Sequence, residues 1–276
     1  MQLKLIPFLS AALLVGTCSA ESLSFAPLPM ENPESVVGQW APLLTYIEQS
    51  LGVSVRIEYS TSYREILDKF KAGKIDLAYL GPLPYVTLKE KYAPTTPIVH
   101  FNEKNGKPTY TCAIVAPADA KFALKDGKGK KIALTQALST CGYLSTDGLL
   151  RQSGSRLEKN KYRYLGAHDE VALAVIRGEF DAGGLKTAIG RKYAHLGLAV
   201  IAETDPLPGF ALIANATKLK GERIAQIQQA LISADADLRS RWGESIRFGV
   251  VPARDGDYDA VRKLRARADI PERDNF

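Results

Sequence analysis

The sequence predicts an α/β protein of two doubly wound sheets joined by two crossover segments, and three observations predict it. Short apolar, β-branched stretches alternate with amphipathic ones from residue 23 almost to the C-terminus, the pattern of largely parallel sheets covered by helices on both faces. Two turn-forming clusters, Asn105-Gly106-Lys107-Pro108 and Asp205-Pro206-Leu207-Pro208-Gly209, divide that alternation into blocks. Helix-like residues after the second cluster, at 219–234 and 258–265, have no sheet of their own to cover, so the economical path returns the chain to the first block. The expected organisation is a discontinuous lobe one of residues 21–107 plus 207–276, a lobe two of residues 108–206, and a cleft crossed by two connections.

The elements follow in order. In lobe one, the apolar stretches 23–26, 53–59, 75–80 and 97–101 read as strands, and the amphipathic stretches 36–51, 63–72 and 84–92 between them read as helices. In lobe two, strands are expected at 110–115, 131–135, 162–165, 180–183 and 198–202, with helices at 143–152, 170–177 and 186–193. No stretch approaches the roughly 18 uninterrupted apolar residues of a membrane span.

Residues 1–20 carry Lys4, an apolar run over 9–15 and then Cys18-Ser19-Ala20, the layout of a signal peptide cleaved after Ala20. Export to the periplasm is therefore expected. Lipid attachment at Cys18, after Val15-Gly16-Thr17, is the competing reading, with Thr an unusual residue before the cysteine. The formal charge of +6 falls to +5 when Lys4 leaves with the leader, a modest field that would steer an anion inward. The basic residues are scattered, as at Lys69, Lys71 and Lys74, without the aromatic interleaving of a nucleic-acid groove, so no nucleic-acid partner is expected. Two cysteines, Cys112 and Cys141, remain after cleavage. In an oxidising compartment the pair favours a disulfide, and without a further Cys or His beside them a zinc site is the poorer reading. No metal or cofactor is expected.

The run Ser139-Thr140-Cys141-Gly142-Tyr143 stands between the strand-like 132–134 and a helix-like stretch. A helix that opens on hydroxyls and a glycine presents unpaired N–H groups, extra donors and a positive dipole end to whatever lies before it, which is how proteins hold phosphate-like anions; Ser and Thr there also serve as plain N-caps. Ligands of open α/β sheets sit beyond the carboxyl ends of strands. There the chain places Tyr63, Tyr85 after Gly81-Pro82-Leu83-Pro84, and His168-Asp169-Glu170, while Asp181 lies within a strand-like stretch. Tyr63 and Tyr85 read equally well as packing residues, and Asp169 as a helix N-cap.

These residues together resemble the substrate-binding proteins of phosphate, phosphite and phosphonate ABC transporters. The matching pieces run in order over the mature chain: Trp40-Ala41-Pro42-Leu43-Leu44 with Leu51-Gly52; Tyr63; Gly73-Lys74-Ile75-Asp76-Leu77-Ala78-Tyr79-Leu80-Gly81-Pro82 with Tyr85; Tyr110; Ser139 to Tyr143; Gly166-Ala167-His168-Asp169; Gly178-Glu179-Phe180-Asp181-Ala182-Gly183; and Asp257-Tyr258. The resemblance implies a bilobal periplasmic-binding-protein fold of type II, acting as a monomer beside an ABC transporter permease. It implies an oxyanion held by the Ser139 and Thr140 hydroxyls and the amides of Cys141 and Gly142. His168 would donate a hydrogen bond, Tyr63 and Tyr85 would complete the cage, and Asp181 would accept from a protonated oxygen or a ligand ammonium. The family pattern has Ser-Thr-Ser-Gly-Tyr where this chain has Cys141, which removes one hydroxyl donor and leaves the backbone N–H. A smaller or differently protonated oxyanion and an organic phosphonate read by its tail both fit.

Two other classes are weighed. Ser139, His168 and Asp181 supply the residue types of a nucleophile, base and orienting acid, and Cys141 could serve as a thiol nucleophile. No Gly-x-Ser-x-Gly elbow accompanies them. A sensory domain reporting to a membrane partner would have the same ligand site.

Overall fold

The computed structural model describes residues 21–31, 33–120, 124–126 and 128–276; the leader and Cys18 lie outside the described residues. The chain begins with β1 (Ser22–Ala26), α1 (Pro33–Leu51), β2 (Ser54–Ile57), α2 (Tyr63–Lys71), β3 (Leu77–Leu80), α3 (Pro82–Lys91) and β4 (Thr95–Phe101). It crosses over as β5 (Thr109–Tyr110) and continues through β6 (Cys112–Pro117), β7 (Lys131–Leu134), α4 (Ser145–Gln152), β8 (Lys161–Tyr164), α5 (His168–Ile176), β9 (Ala182–Lys186), α6 (Thr187–Lys192) and β10 (Leu198–Glu203). It returns as β11 (Leu207–Pro208) and ends with β12 (Ala211–Asn215), α7 (Gly221–Ser233), α8 (Ala236–Ser240), β13 (Val250–Pro252) and α9 (Asp259–Arg265).

The strands form a six-stranded sheet of order β13-β4-β12-β3-β1-β2 and a five-stranded sheet of order β10-β6-β9-β7-β8. The α/β class with two wound sheets agrees with the sequence reading. In the first sheet β1 runs parallel to β2 and β3, while β12 is antiparallel to β3 and β4. In the second, β7 runs parallel to β8 and β9, and β6 is antiparallel to β9 and β10. Each sheet thus carries a strand contributed just after a crossover. The crossovers pair with each other, Leu207 opposite Tyr110 and Pro208 opposite Thr109. The Gly209 amide donates to Pro108 O at 2.7 Å, and a Cβ on Gly209 would lie 2.9 Å from that oxygen, so only glycine fits between the connections.

Three elements differ from expectation. The expected strand 110–115 breaks at Thr111 into β5 and β6. β12 was not anticipated: its Ala-Leu-Ile-Ala-Asn is a short apolar run whose residues are all buried, and periodicity alone does not distinguish such a run from a buried helical turn. The strand expected at 180–183 is β9, which starts at Ala182 and continues through Gly183-Gly184 to Lys186. Those glycines look like a turn but are required by packing. A Cβ on Gly183 would sit 2.6 Å from Val171 Cγ1, and one on Gly184 1.8 Å from Thr146 Oγ1.

The largest core packs the first sheet against its helices. Trp40 meets Phe25, Tyr79 and Phe101 with ring centroids 4.6, 4.7 and 5.9 Å away, and the aromatic series continues through Phe210 to Tyr110 at the crossover. Two smaller clusters line the second sheet. Cys112 and Cys141 are joined in a disulfide, Cα atoms 5.0 Å apart, which ties the start of β6 to the turn before α4. Closing a loop with a sequence separation of 29 is worth about 3–4 kcal/mol in chain entropy.

Beyond α9 the chain runs to the second sheet and covers the free edge of β8. The outward amides of that edge, Tyr162 N and Tyr164 N, donate to Asn275 Oδ1 at 2.6 Å and Asp274 Oδ1 at 2.8 Å, and Tyr164 Oη donates to Pro271 O at 2.6 Å. Side-chain oxygens so occupy donors that would otherwise template another strand. Replacing both Asp274 and Asn275 with Ala is expected to speed exchange of the Tyr162 and Tyr164 amides about fivefold or more, at ~1 kcal/mol per lost bond. The Leu165 amide, bonded inward to Leu134 O, should stay protected. Residue-resolved hydrogen exchange measures all three.

Candidate anion site between the two sheets

The site lies where the carboxyl ends of the parallel strands in both sheets face each other. Tyr63 opens α2, Gly81 caps α3, and His168 opens α5; Ser139 and Thr140 begin the turn that leads into α4. Together with Pro84, Tyr110, Cys141 and Phe210 these residues enclose a cavity of about 10 Å³, room for roughly one water. Ser139, Thr140, Cys141, Tyr63, Tyr110 and His168 are all at most 5% exposed.

The turn at 140–144 is wider than an α-helix. The Ser145 amide bonds back to Thr140 O, Ser145 Oγ donates to the same oxygen at 2.7 Å, and Thr146 Oγ1 donates to Cys141 O at 3.3 Å. Gly142 is needed here because a Cβ would stand 2.7 Å from Gln136 O and 2.9 Å from Thr135 Oγ1. Its amide is not available to a ligand: it donates to Ser139 O at 3.1 Å. The expectation for Gly142 is corrected accordingly. The tight turn from Ser139 uses that N–H, which leaves the Thr140 and Cys141 amides, ahead of the first helical bond, as the turn's backbone donors.

The remaining polar groups also present hydrogens. Thr140 Oγ1 accepts from the Leu83 amide at 3.0 Å, across the gap between sheets, so its own proton is free to point into the cavity. His168 Nδ1 accepts from the Lys186 amide at 3.0 Å, which places the proton on Nε2 as a donor. Burial, with the nearby Lys186 charge, holds the His168 pKa down to about 3, so the ring is neutral at ordinary pH. The Tyr63 phenol lies against the Ser139 hydroxyl, and burial raises its pKa far out of reach. Tyr110 Oη is buried with no hydrogen bond of ordinary geometry; its contact with the Thr140 hydroxyl falls short of one. The wall holds no cation.

Two expected residues stand elsewhere. Tyr85 follows Pro84 by one helical step of about 100°, which turns it away from the cavity. Its hydroxyl donates to Asp255 Oδ1 at 2.5 Å and its ring centroid lies 4.0 Å from that of Tyr258. Asp181 is exposed at the opposite end of the second sheet, where its Oδ2 accepts from the Lys131 amide at 2.8 Å, because β9 begins after it and not around it. Asp169 is not the helix N-cap; Ala167 is. Sequence reasoning gave no role to Tyr110, Phe210 or the Leu83 amide. The turn after β3 and the crossover before Cys112 are the signals that would have found them.

Contacts across the gap bring the sheets together. The Tyr63 amide donates to Gln136 Oε1 at 2.9 Å, and Lys186 Nζ pairs with Glu103 Oε1 at 2.6 Å. Residues 25–258 match the family described as ABC transporter, phosphonate, periplasmic substrate-binding protein. The chain belongs to this family.

Its relatives include the phosphate-import protein PhnD of Mycolicibacterium smegmatis, 28% identical over 88% of this chain and 85% of the relative. The phosphonates-binding periplasmic protein of Escherichia coli K12 is 24% identical over 70% of this chain and 60% of its own length. Among solved structures, PhnD1 of Prochlorococcus marinus in complex with methylphosphonate superposes with a TM-score of 0.78 at 15% identity, covering 90% of this chain and 98% of the other. A binding-protein component of an ABC phosphonate transporter from Pseudomonas aeruginosa superposes with a TM-score of 0.79 at 19% identity, covering 89% of this chain and 86% of the other. The fold is the bilobal type II binding-protein fold. The chain is a periplasmic substrate-binding component of an ABC transporter and not an enzyme, and the nucleophile readings fall with that: the Cys141 sulfur is bonded to Cys112, and Asp181 is remote from His168.

The buried neutral histidine has a consequence for stability. Its pKa is about 3 in the folded protein and near 6.5 when unfolded, so between those values the unfolded chain binds a proton that the folded one does not. The His168 contribution is therefore fully present above pH 6.5 and is lost as pH falls toward 3. His168→Asn, whose amide oxygen can still accept from Lys186 N, is expected to flatten the decline in urea midpoint between pH 6.5 and 4 relative to the unaltered protein. Urea unfolding without ligand across that range is the measurement.

Proposed function

We propose that this chain captures inorganic phosphate or a small alkylphosphonate, closes over it and delivers it to a membrane permease as a monomer. The convergence of donor groups on one enclosed cavity carries the reading. The Ser139 and Thr140 hydroxyls and the Thr140 and Cys141 amides grip the oxygens from lobe two. Tyr63 and Tyr110 approach from lobe one and the crossover, and His168 Nε2–H completes the cage. The dipole of the helix that follows the turn supplies partial positive charge where no cation touches the cavity. The relatives' names support a phosphorus oxyanion, one as a phosphate importer and one solved with methylphosphonate.

The moving bodies in this reading are lobe one, residues 21–107 and 207–276, and lobe two, residues 108–206, turning about β5 and β11. A ligand held by both lobes binds the closed state more tightly than the open one, and that difference shifts the population. The permease then reads the closed form. Residues 1–20 serve as a cleaved leader that directs the chain to the periplasm.

Replacing Ser139 and Thr140 together with Ala removes two hydroxyls that donate to a charged ligand, each worth about 1.5–3 kcal/mol. Affinity for the best oxyanion is expected to fall at least about 100-fold. Titration calorimetry against phosphate, phosphite, methylphosphonate and sulfate makes the comparison; undiminished affinity for all four would remove the turn from the site.

A further inference from the structure

The anion cavity shares one wall residue, His168, with a second and larger cavity of about 270 Å³ between the lobes. A substituent on the His168 side of the oxyanion would point toward that space. Trp40, Tyr79 and Tyr193 supply apolar walls there, and Lys186 supplies a buried ammonium. Lys186 ends β9 and is 8% exposed, with Nζ 5.5 Å from the Tyr110 ring centroid and 5.2 Å from that of Phe210. Both rings also line the anion cavity. The lysine therefore stands within about 5.5 Å of two wall residues of the site and lines the larger space beside it.

Two carboxylates, Glu31 and Asp169, also line this space, but they are more exposed than Lys186, and solvent screens their pull on a cation. Glu31 accepts from Gln39 Nε2 at 3.0 Å, Asp169 accepts from the Glu170 amide at 3.0 Å, and both are only half-buried. Lys192 adds a second positive charge to the wall. Glu103, the carboxylate paired with Lys186, is committed to it at 2.6 Å. A ligand ammonium would meet a buried like charge with no free buried carboxylate to answer it, and such juxtaposition is how sites reject wrong partners.

Resting on the reading of the cleft as a phosphorus-oxyanion site, we propose that Lys186 is a specificity-determining residue. It restricts the ligand to a bare oxyanion or one with an uncharged or anionic substituent and excludes aminoalkylphosphonates.

Ethylphosphonate and 2-aminoethylphosphonate differ by one ammonium and make the test by calorimetry on the mature chain, with phosphate as reference. The unaltered protein is expected to bind ethylphosphonate at least tenfold more tightly than the amine. Lys186→Gln should bring the two within about threefold of each other. Glu103→Gln, which leaves the lysine unneutralised and does not depend on tolerating a change at Lys186, should widen the gap. Equal affinities in the unaltered protein, or a ratio unmoved by either variant, would overturn the proposal. Binding of phosphate with neither ethyl ligand would overturn it too, since size and not charge would then choose. If none of the three ligands binds, the oxyanion reading itself fails.

Discussion

An anion enclosed between two lobes with no cation in contact must be met by donor hydrogens, and every acceptor nearby must already be occupied. The fold supplies this through one topological constraint. Parallel strands followed by helices put helix N-termini at the carboxyl end of a sheet, and two such sheets face each other here. The starts of α2, α3 and α5 and the turn before α4 therefore share one gap. Their positive dipole ends converge on that gap from the two sheets, with the Tyr63 and Leu83 amides of α2 and α3 spent on Gln136 and Thr140 of the facing lobe. The acceptors are used up locally: Thr140 Oγ1 by the Leu83 amide, His168 Nδ1 by the Lys186 amide, Gln136 Oε1 by the Tyr63 amide. What remains is a wall rich in donor hydrogens, with the Tyr63 and Ser139 hydroxyls set against each other.

Holding that surface in register falls to the turn at 139–146. Its early carbonyls are capped by the hydroxyls of Ser145 and Thr146, and its shape needs the missing Cβ atoms of Gly142 and Gly184. Cys141 gives up the hydroxyl that the related pattern has at this position and gains a covalent bond to Cys112, two residues beyond the crossover residue Tyr110. The chain just after β5 and the turn at 139–146 are in this way tied by a covalent bond. If the lobes turn about β5 as proposed, that bond would carry the turn and Tyr110 together and keep the lobe-two contacts in register.

Much of this was legible in the residues. The alternation and the two Gly/Pro clusters carry the two-sheet fold and the return of the chain, because those features depend on local chemistry. That Ser139, Thr140, Cys141, Tyr63 and His168 line one cavity, and that the cysteines pair, was legible for the same reason: each sits at a strand-to-helix junction or follows from the compartment. Tyr85 and Asp181 misled because side-chain direction depends on one residue of helical phase or on where a strand begins. Gly183-Gly184 hid the true end of β9, and with it Lys186, since glycines selected by the closeness of Val171 and Thr146 look the same in sequence as glycines selected for a turn. β12 was lost in the same manner, its partners β3 and β4 lying more than a hundred residues upstream.

The phenol of Tyr110 stands out among the groups that wall the candidate site. Tyr110 Oη is buried without a hydrogen bond, and leaving such a group unsatisfied costs about 1–3 kcal/mol. In the proposed opening, water would reach it. An oxyanion oxygen bound beside it would satisfy it, so in that reading the phenol would disfavour an empty closed state and favour a filled one. Lys186 and Glu103, which join across the same gap, offset part of that penalty, but a buried ion pair recovers little beyond its desolvation. An orphaned hydroxyl that would count as a defect in a rigid core would, in the proposed site, make closure depend on the guest.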